Sequence, residues 1–174
     1  MIEPKVIYLI VSGSSMVREV PALIEALTKL DLPLYTLLTE NARRVISPRE
    51  LANLPHHKFV DSYFDPSMFF ERQPGLTLVA PATFNTVNKI SQGIADTLSH
   101  SLVAEAIGAG WPVVIAPAAN VPLAKHPQFQ ESLKTLAGWG LTLVPQRTVE
   151  DRLYMATVDD IVAAVKTILN KEEP

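Results

Sequence analysis

Residues 76–98, LTLVAPATFNTVNKISQGIADTL, decide the fold. Leu76-Thr77-Leu78-Val79-Ala80 is a short apolar run bounded by Gly75 and Pro81, the pattern of a buried strand. After Pro81-Ala82-Thr83 the period changes. Val87, Ile90, Ile94 and Leu98 recur at three- and four-residue steps, which predicts a helical stripe. Ala82, Thr83, Asn85, Thr86 and Asn88, all small or polar, lie at the junction. In an open parallel sheet the carboxyl ends of the strands face the ligand crevice. Hydroxyls and amides placed there can bind a polar ligand without adding charge. The same residues also suit a plain helix start, with Thr83 as cap and Asn85 and Asn88 in solvent.

The pattern repeats outward in both directions. Residues 5–11 (KVIYLIV) form a continuous apolar run suited to a strand covered on both faces. Ser12-Gly13-Ser14-Ser15 follows, then a helix over residues 17–30 with Val20, Leu23, Ile24 and Leu27 on one face. Pro21 falls in its first turns, where a missing N–H costs little. A strand, a small-residue turn and a helix can point backbone N–H groups at an anion. The turn has no Walker A lysine and no complete G-x-G-x-x-G, so a nucleoside triphosphate or a classical dinucleotide is not expected. A phosphate site and an ordinary strand–helix turn both remain open.

Residues 34–38 (LYTLL) read as the next strand, with Thr39 at its carboxyl end. Short helices are expected over 42–46 and 49–54, with Arg43 and Arg44 on a solvated face rather than at a phosphate, which they could also meet. Residues 101–110 read as helix and 112–116 (PVVIA) as strand. Pro117-Ala118-Ala119-Asn120 is then a second turn, and Asn120 is expected in the same crevice as Thr83 and Asn85. Residues 121–127 read as a loop. Phe129, Leu133 and Leu136 mark a helix, residues 141–144 a strand and residues 159–169 a last amphipathic helix. This alternation predicts an α/β fold: a Rossmann-like, doubly wound parallel sheet in three α/β/α layers, as one domain over residues 1–174.

Composition narrows the function. The 174-residue chain is 48% hydrophobic and 19% charged, as a globular protein is. A net charge of −3 offers no bulk attraction to nucleic acid or an anionic membrane. With no cysteine, disulfides, thiolate catalysis and cysteine metal sites are excluded. The first residues, MIEPKVIYLIVSGSS, are too short an apolar stretch to span a bilayer and show no signal-peptide cleavage pattern, so a cytoplasmic protein is expected. His56, His57 and Asp61 lack the spacing of a helical metal pair. A surface loop is expected there, and no metal site. Tyr63, Phe64, Met68, Phe69 and Phe70 make residues 55–75 locally aromatic, which suits a core flap, a subunit contact or a wall over a flat ligand.

Together the turns resemble those of the homo-oligomeric flavin-containing cysteine decarboxylases. That flavoprotein family includes phosphopantothenoylcysteine and lantibiotic decarboxylases and is related to the flavin prenyltransferases. PATFNTVNKISQGIADTL is similar to P-A-S-A-N-T followed by K-I-x-x-G-I-A-D-N/T-L, with Thr83 for Ser and Phe84 for Ala. VSGSS resembles V-T-G-S-I, and LLTENARRVISP resembles M-T-E-A-A-x-x-F-I-T-P. The segment from Pro117 resembles the one carrying P-x-M-N-x-x-M-W.

The resemblance implies FMN, a small-molecule substrate, and a trimer or a dodecamer built from trimers. Gly13, Ser14 and Ser15 would receive the FMN phosphate and Thr39 a phosphate or ribityl oxygen. Pro81, Ala82, Thr83 and Asn85 would line the flavin, and Asn120 would grip a substrate carboxylate or carbonyl. The departures bear on activity. Where the decarboxylases carry a histidine about a dozen residues before P-A-S-A-N-T, an ungapped count gives Ser67, and no histidine lies between His57 and His100. Pro117 and Asn120 are kept, but Ala119, Leu123 and Ala124 replace both methionines and the tryptophan. An FMN enzyme without the usual histidine is therefore expected. The alternatives are a flavin prenyltransferase-like enzyme and a non-catalytic flavin-binding or regulatory subunit.

Overall fold

The computed structural model describes residues 3–62, 64–66 and 73–169. Strand β1 is Ile7–Val11. A 3-10 turn at Ser15–Glu19 leads into α1, Val20–Thr28, with Pro21 in its first turn. Next come β2 (Leu34–Leu38), a 3-10 turn (Ala42–Arg44), α2 (Pro48–Ala52) and β3 (Lys58–Phe59). The central stretch is β4, Leu76–Ala82, and α3, Phe84–Ser91. Then follow α4 (Leu98–Gly108), β5 (Val113–Pro117), α5 (Val121–Ala124) and α6 (Pro127–Gly138). Strands β6 (Thr142–Leu143), β7 (Arg147–Val149) and β8 (Arg152–Tyr154) precede α7, Val158–Leu169.

Six parallel strands pair in the order β3-β2-β1-β4-β5-β6. The order reverses between β1 and β4, both buried along their whole length. Side chains alternate across the sheet and divide the core in two. Ile7, Leu9 and Val11 pack with Val20, Leu23, Leu27, Ile161 and Val165 of α1 and α7. Tyr8 and Ile10 pack on the other face with Val87, Ile90, Leu102, Val103, Phe129 and Leu136 of α3, α4 and α6. Helices thus cover both faces, and the architecture is the expected Rossmann-like three-layer sandwich.

The local structure departs from the expected pattern at several places, among them β3, which lies in the stretch expected as a loop. The stripe over residues 87–98 is broken: α3 stops at Ser91, Gly93 takes φ +68°, and Ile94 N–H donates to the Lys89 carbonyl at 2.9 Å. That is a Schellman-type stop, which glycine permits at a left-handed position. A new helix then starts behind Thr97, and Ile94 is left 45% exposed. The expected loop over 121–127 contains α5. The antiparallel β7–β8 hairpin was not foreseen and lies outside the main sheet.

Candidate functional site

The carboxyl ends of the strands are laced together by hydrogen bonds. Thr39 N–H donates to the Val11 carbonyl at 2.9 Å, joining β2 to β1. The Ser12 hydroxyl donates to the Pro81 carbonyl at 2.6 Å and accepts from Thr83 N–H at 2.9 Å, joining β1 to β4. Ala118 N–H donates to the Ala82 carbonyl at 2.8 Å, joining β5 to β4. The turns bearing Gly13, Thr39, Thr83 and Asn120 therefore share one edge of the sheet. Gly13 allows the closest approach: a Cβ there would lie 2.7 Å from the Asn41 carbonyl carbon.

Two of the hollows along this edge gather the residues singled out in the sequence. The smaller, about 110 Å³, is lined by Gly13, Thr39, Glu40, Asn41, Thr83, Asn85, Thr86, Lys89, Thr97 and His100. The larger, about 420 Å³, is lined by Ser14, Ser15, Met16, residues 118–122 and residues 152–155. Its size is that of a small-ligand pocket, roughly 300–1,000 Å³. The structure thus divides the residues singled out in the sequence. Gly13, Thr39, Thr83 and Asn85 meet in the smaller hollow, and Ser14, Ser15 and Asn120 in the larger. Pro81 and Ala82 are buried within β4, after a cis Ala80–Pro81 bond.

Several side chains have roles that spacing alone left open. Thr83 occupies the cap position of α3 without a side-chain cap bond, and its hydroxyl lies 3.1 Å from that of Thr86. Asn88 is not simply solvated, since its Oδ1 accepts from the Ser132 hydroxyl at 2.8 Å and ties α3 to α6. Phe84 stacks on Phe129 of α6 at 5.6 Å between ring centres. Asn120 Oδ1 caps α5 by accepting from Leu123 N–H at 3.1 Å, so its amide nitrogen is the donor the cap does not use. Arg152 and Tyr154, from the hairpin, stand in the wall of the larger hollow with Asn120. Arg147 anchors that hairpin: its Nε donates to the Met155 carbonyl at 3.1 Å and its guanidinium meets Glu19 at 3.4 Å.

The histidines also separate. His57 is held at both ring nitrogens, 3.0 Å from the Thr36 hydroxyl and 2.8 Å from the Leu51 carbonyl. It lies in the expected loop, between α2 and β3, and pins that loop to β2 and α2. Ser67, Met68, Phe69, Phe70 and Tyr63 lie outside the described residues. His100 was not singled out from the sequence. It is only 6% exposed, with Nδ1 at 2.7 Å from the Thr97 hydroxyl and 3.5 Å from an Asp96 carboxylate oxygen. Its Nε2 is buried without a hydrogen-bond partner among the described residues. Burial, then the Lys89 charge, push its pKa below the usual 6.5, while Asp96 pulls the other way. The Lys89 ammonium, 2.6 Å from Asp96, holds that exposed carboxyl below its ordinary value of 3.8.

The residues fit a flavin mononucleotide chemically. Neutral hydroxyls, an amide and a close-packed glycine turn suit a phosphate and a polar chain, and the larger hollow has the volume for a small ligand. A doubly wound sheet takes its ligands in the crevice outside the carboxyl ends of its strands, at the point where the strand order reverses. The Flavoprotein family model matches residues 1–170, and the chain belongs to that family. The "Coenzyme A biosynthesis bifunctional protein CoaBC" of Thermococcus kodakarensis is 29% identical over 92% of this chain, which spans 41% of that relative. The phosphopantothenoylcysteine decarboxylase of Mus musculus is 28% identical over 92% of this chain and 85% of its own length. The solved structure of "the FMN binding protein AtHal3" superposes with a TM-score of 0.82 at 20% identity, covering 99% of this chain and all of that one. At that identity the last likeness is one of fold.

Proposed function

We propose that the chain is an FMN-binding enzyme, decarboxylase-like, acting on a small carboxylate-bearing molecule. The observation that carries this is the laced edge itself: Gly13, Thr39, Thr83 and Asn85 meet in one polar hollow beside a larger cavity that holds Ser14, Ser15 and Asn120. Gly13 and Thr39, with Ser14 and Ser15 of the same turn, would hold the phosphate, while Thr83 and Asn85 would face the flavin and its chain, backed by the buried Pro81 and Ala82. A bound flavin supplies an acceptor for an electron pair. The protein's part is to bind and orient. Across the larger cavity, the Asn120 amide and the Arg152 guanidinium suit a substrate carboxylate, as hydrogen-bond donor and as cation. Activity would proceed without a histidine at the family's usual place.

The test is an absorbance spectrum of purified protein after incubation with FMN and desalting. A retained, structured flavin band is expected, followed by anaerobic bleaching with aminothiol carboxylates as candidate substrates. A protein that retains no flavin overturns the reading. A flavin-binding but non-catalytic subunit is the second reading, favoured by Ala119, Leu123 and Ala124 in place of the large residues of the substrate wall. Retention of flavin with no bleaching by any such acid would select it.

A further inference from the structure

We propose that His100 is the proton-linked partner of the smaller hollow: when a phosphate group occupies it, His100 takes up one proton from solvent and becomes its counter-cation. The proposal uses the flavoprotein reading only to name FMN as the phosphate's source.

Three observations carry it. His100 lines the hollow with Gly13, Thr39, Thr83, Asn85 and Lys89. Its Nε2 is buried and has no hydrogen-bond partner among the described residues, an unusual state for a polar atom that calls for an explanation. Its Nδ1 is occupied by the Thr97 hydroxyl, with the Asp96 carboxylate at 3.5 Å. Those partners favour the proton on Nδ1 and leave a bare lone pair on Nε2. A proton arriving there completes an imidazolium braced by Asp96.

The charged groups around the ring act in both directions, with the net effect against protonation. From α3, Lys89 opposes protonation, while Asp96, before α4, supports it. Glu40, after β2, shares the hollow. Arg43 and Asp61 face one another at 3.8 Å in an adjoining recess that also includes Thr97. The strand β5, packed against α4, carries no charge. Empty, the hollow keeps His100 neutral through burial and Lys89. A phosphate dianion adds opposite charge beside the ring, which favours the charged form. The free and bound pKa values then differ, and binding must consume a proton between them. Affinity for FMN accordingly tightens as pH falls through that window, by up to about tenfold per pH unit. Riboflavin, without the phosphate, has no such slope.

The test combines two measurements. Histidine-ring NMR of the wild-type protein follows His100 on addition of FMN, riboflavin or inorganic phosphate. Calorimetry in buffers of different ionisation heat counts the protons taken up by wild type, His100→Gln and His100→Asn. Expected are a protonation shift of His100 with FMN and phosphate but not riboflavin, and smaller proton uptake in both variants. The phosphate's own titration remains in the variants and sets the baseline. Retained FMN with His100 signals unmoved, or equal proton uptake in wild type and variants, overturns the proposal and leaves the flavin reading intact. Unretained FMN with a phosphate-induced shift has the reverse meaning. Silence towards all three probes overturns both.

Discussion

Ser12 lies between β1 and β4 and satisfies the Pro81 carbonyl and the Thr83 N–H with one hydroxyl. Ser12→Ala strips that hydroxyl from a buried place and leaves the Thr83 N–H without it, which costs about 1–3 kcal/mol. Urea unfolding measures this, and FMN retention should weaken with it because Thr83 is no longer held. Gly13→Ala forces a Cβ against the Asn41 backbone, at an expected cost of about 1–3 kcal/mol, and should shift the turn enough to lower flavin retention. For His100 the sign follows from its depressed folded pKa: the unfolded chain binds the proton more readily. Ligand-free stability should be full above about 6.5, the unfolded value, and fall as pH drops through the window down to the folded pKa. Melting scans of wild type and His100→Gln check it, with a shallower acid fall expected in the variant. The turn residues were legible because small polar side chains after apolar runs stand out. Ser12's role was not, since its partners lie 69 and 71 positions away in the chain. Nor was that of His100, whose interest lies in a missing partner that no spacing records.

At the scale of elements, five strands of the main sheet were readable from their apolar runs, while β3, two half-buried or exposed residues in a stretch expected as loop, and two connections were not. The residue 87–98 stripe keeps helical spacing through a glycine turn, so periodicity alone joined two helices that Gly93 separates. The hairpin escaped notice because β7 and β8 are three residues each and largely half-buried or exposed, with no apolar alternation to mark them. It is held by Arg147, whose guanidinium also lies 5.4 Å from the centre of the Tyr154 ring. Arg147→Ala should therefore speed hydrogen exchange of the amides over residues 147–154 without a comparable change in the main sheet. By contrast, Phe129→Ala removes a ring that is 1% exposed and stacked on Phe84, with an expected loss of about 3–5 kcal/mol in global stability. Unequal responses from the two elements, local in one and global in the other, are what hydrogen exchange and melting should record.

For the whole molecule, the doubly wound topology follows from the strand–helix alternation and from the right-handed crossovers that parallel strands require. We propose that the chain forms one domain, its two cores sharing a single sheet, and that it assembles as a trimer or a multiple of trimers. Phe64 is 86% exposed and Trp139 50% exposed, which gives such an assembly apolar surface to cover. Sedimentation of the FMN-loaded protein should show a species larger than the monomer, and a monomer would end that proposal. The cradle on the strand ends is welded into the core, whereas residues 150–153 belong to an appended ribbon whose sequence carries no share of the sheet's pairing. Under the proposed function, drift in that ribbon would retune substrate choice across a lineage while cofactor retention stays unchanged. A library randomised at residues 150–153 should yield mostly folded, flavin-coloured variants with divergent substrate preferences.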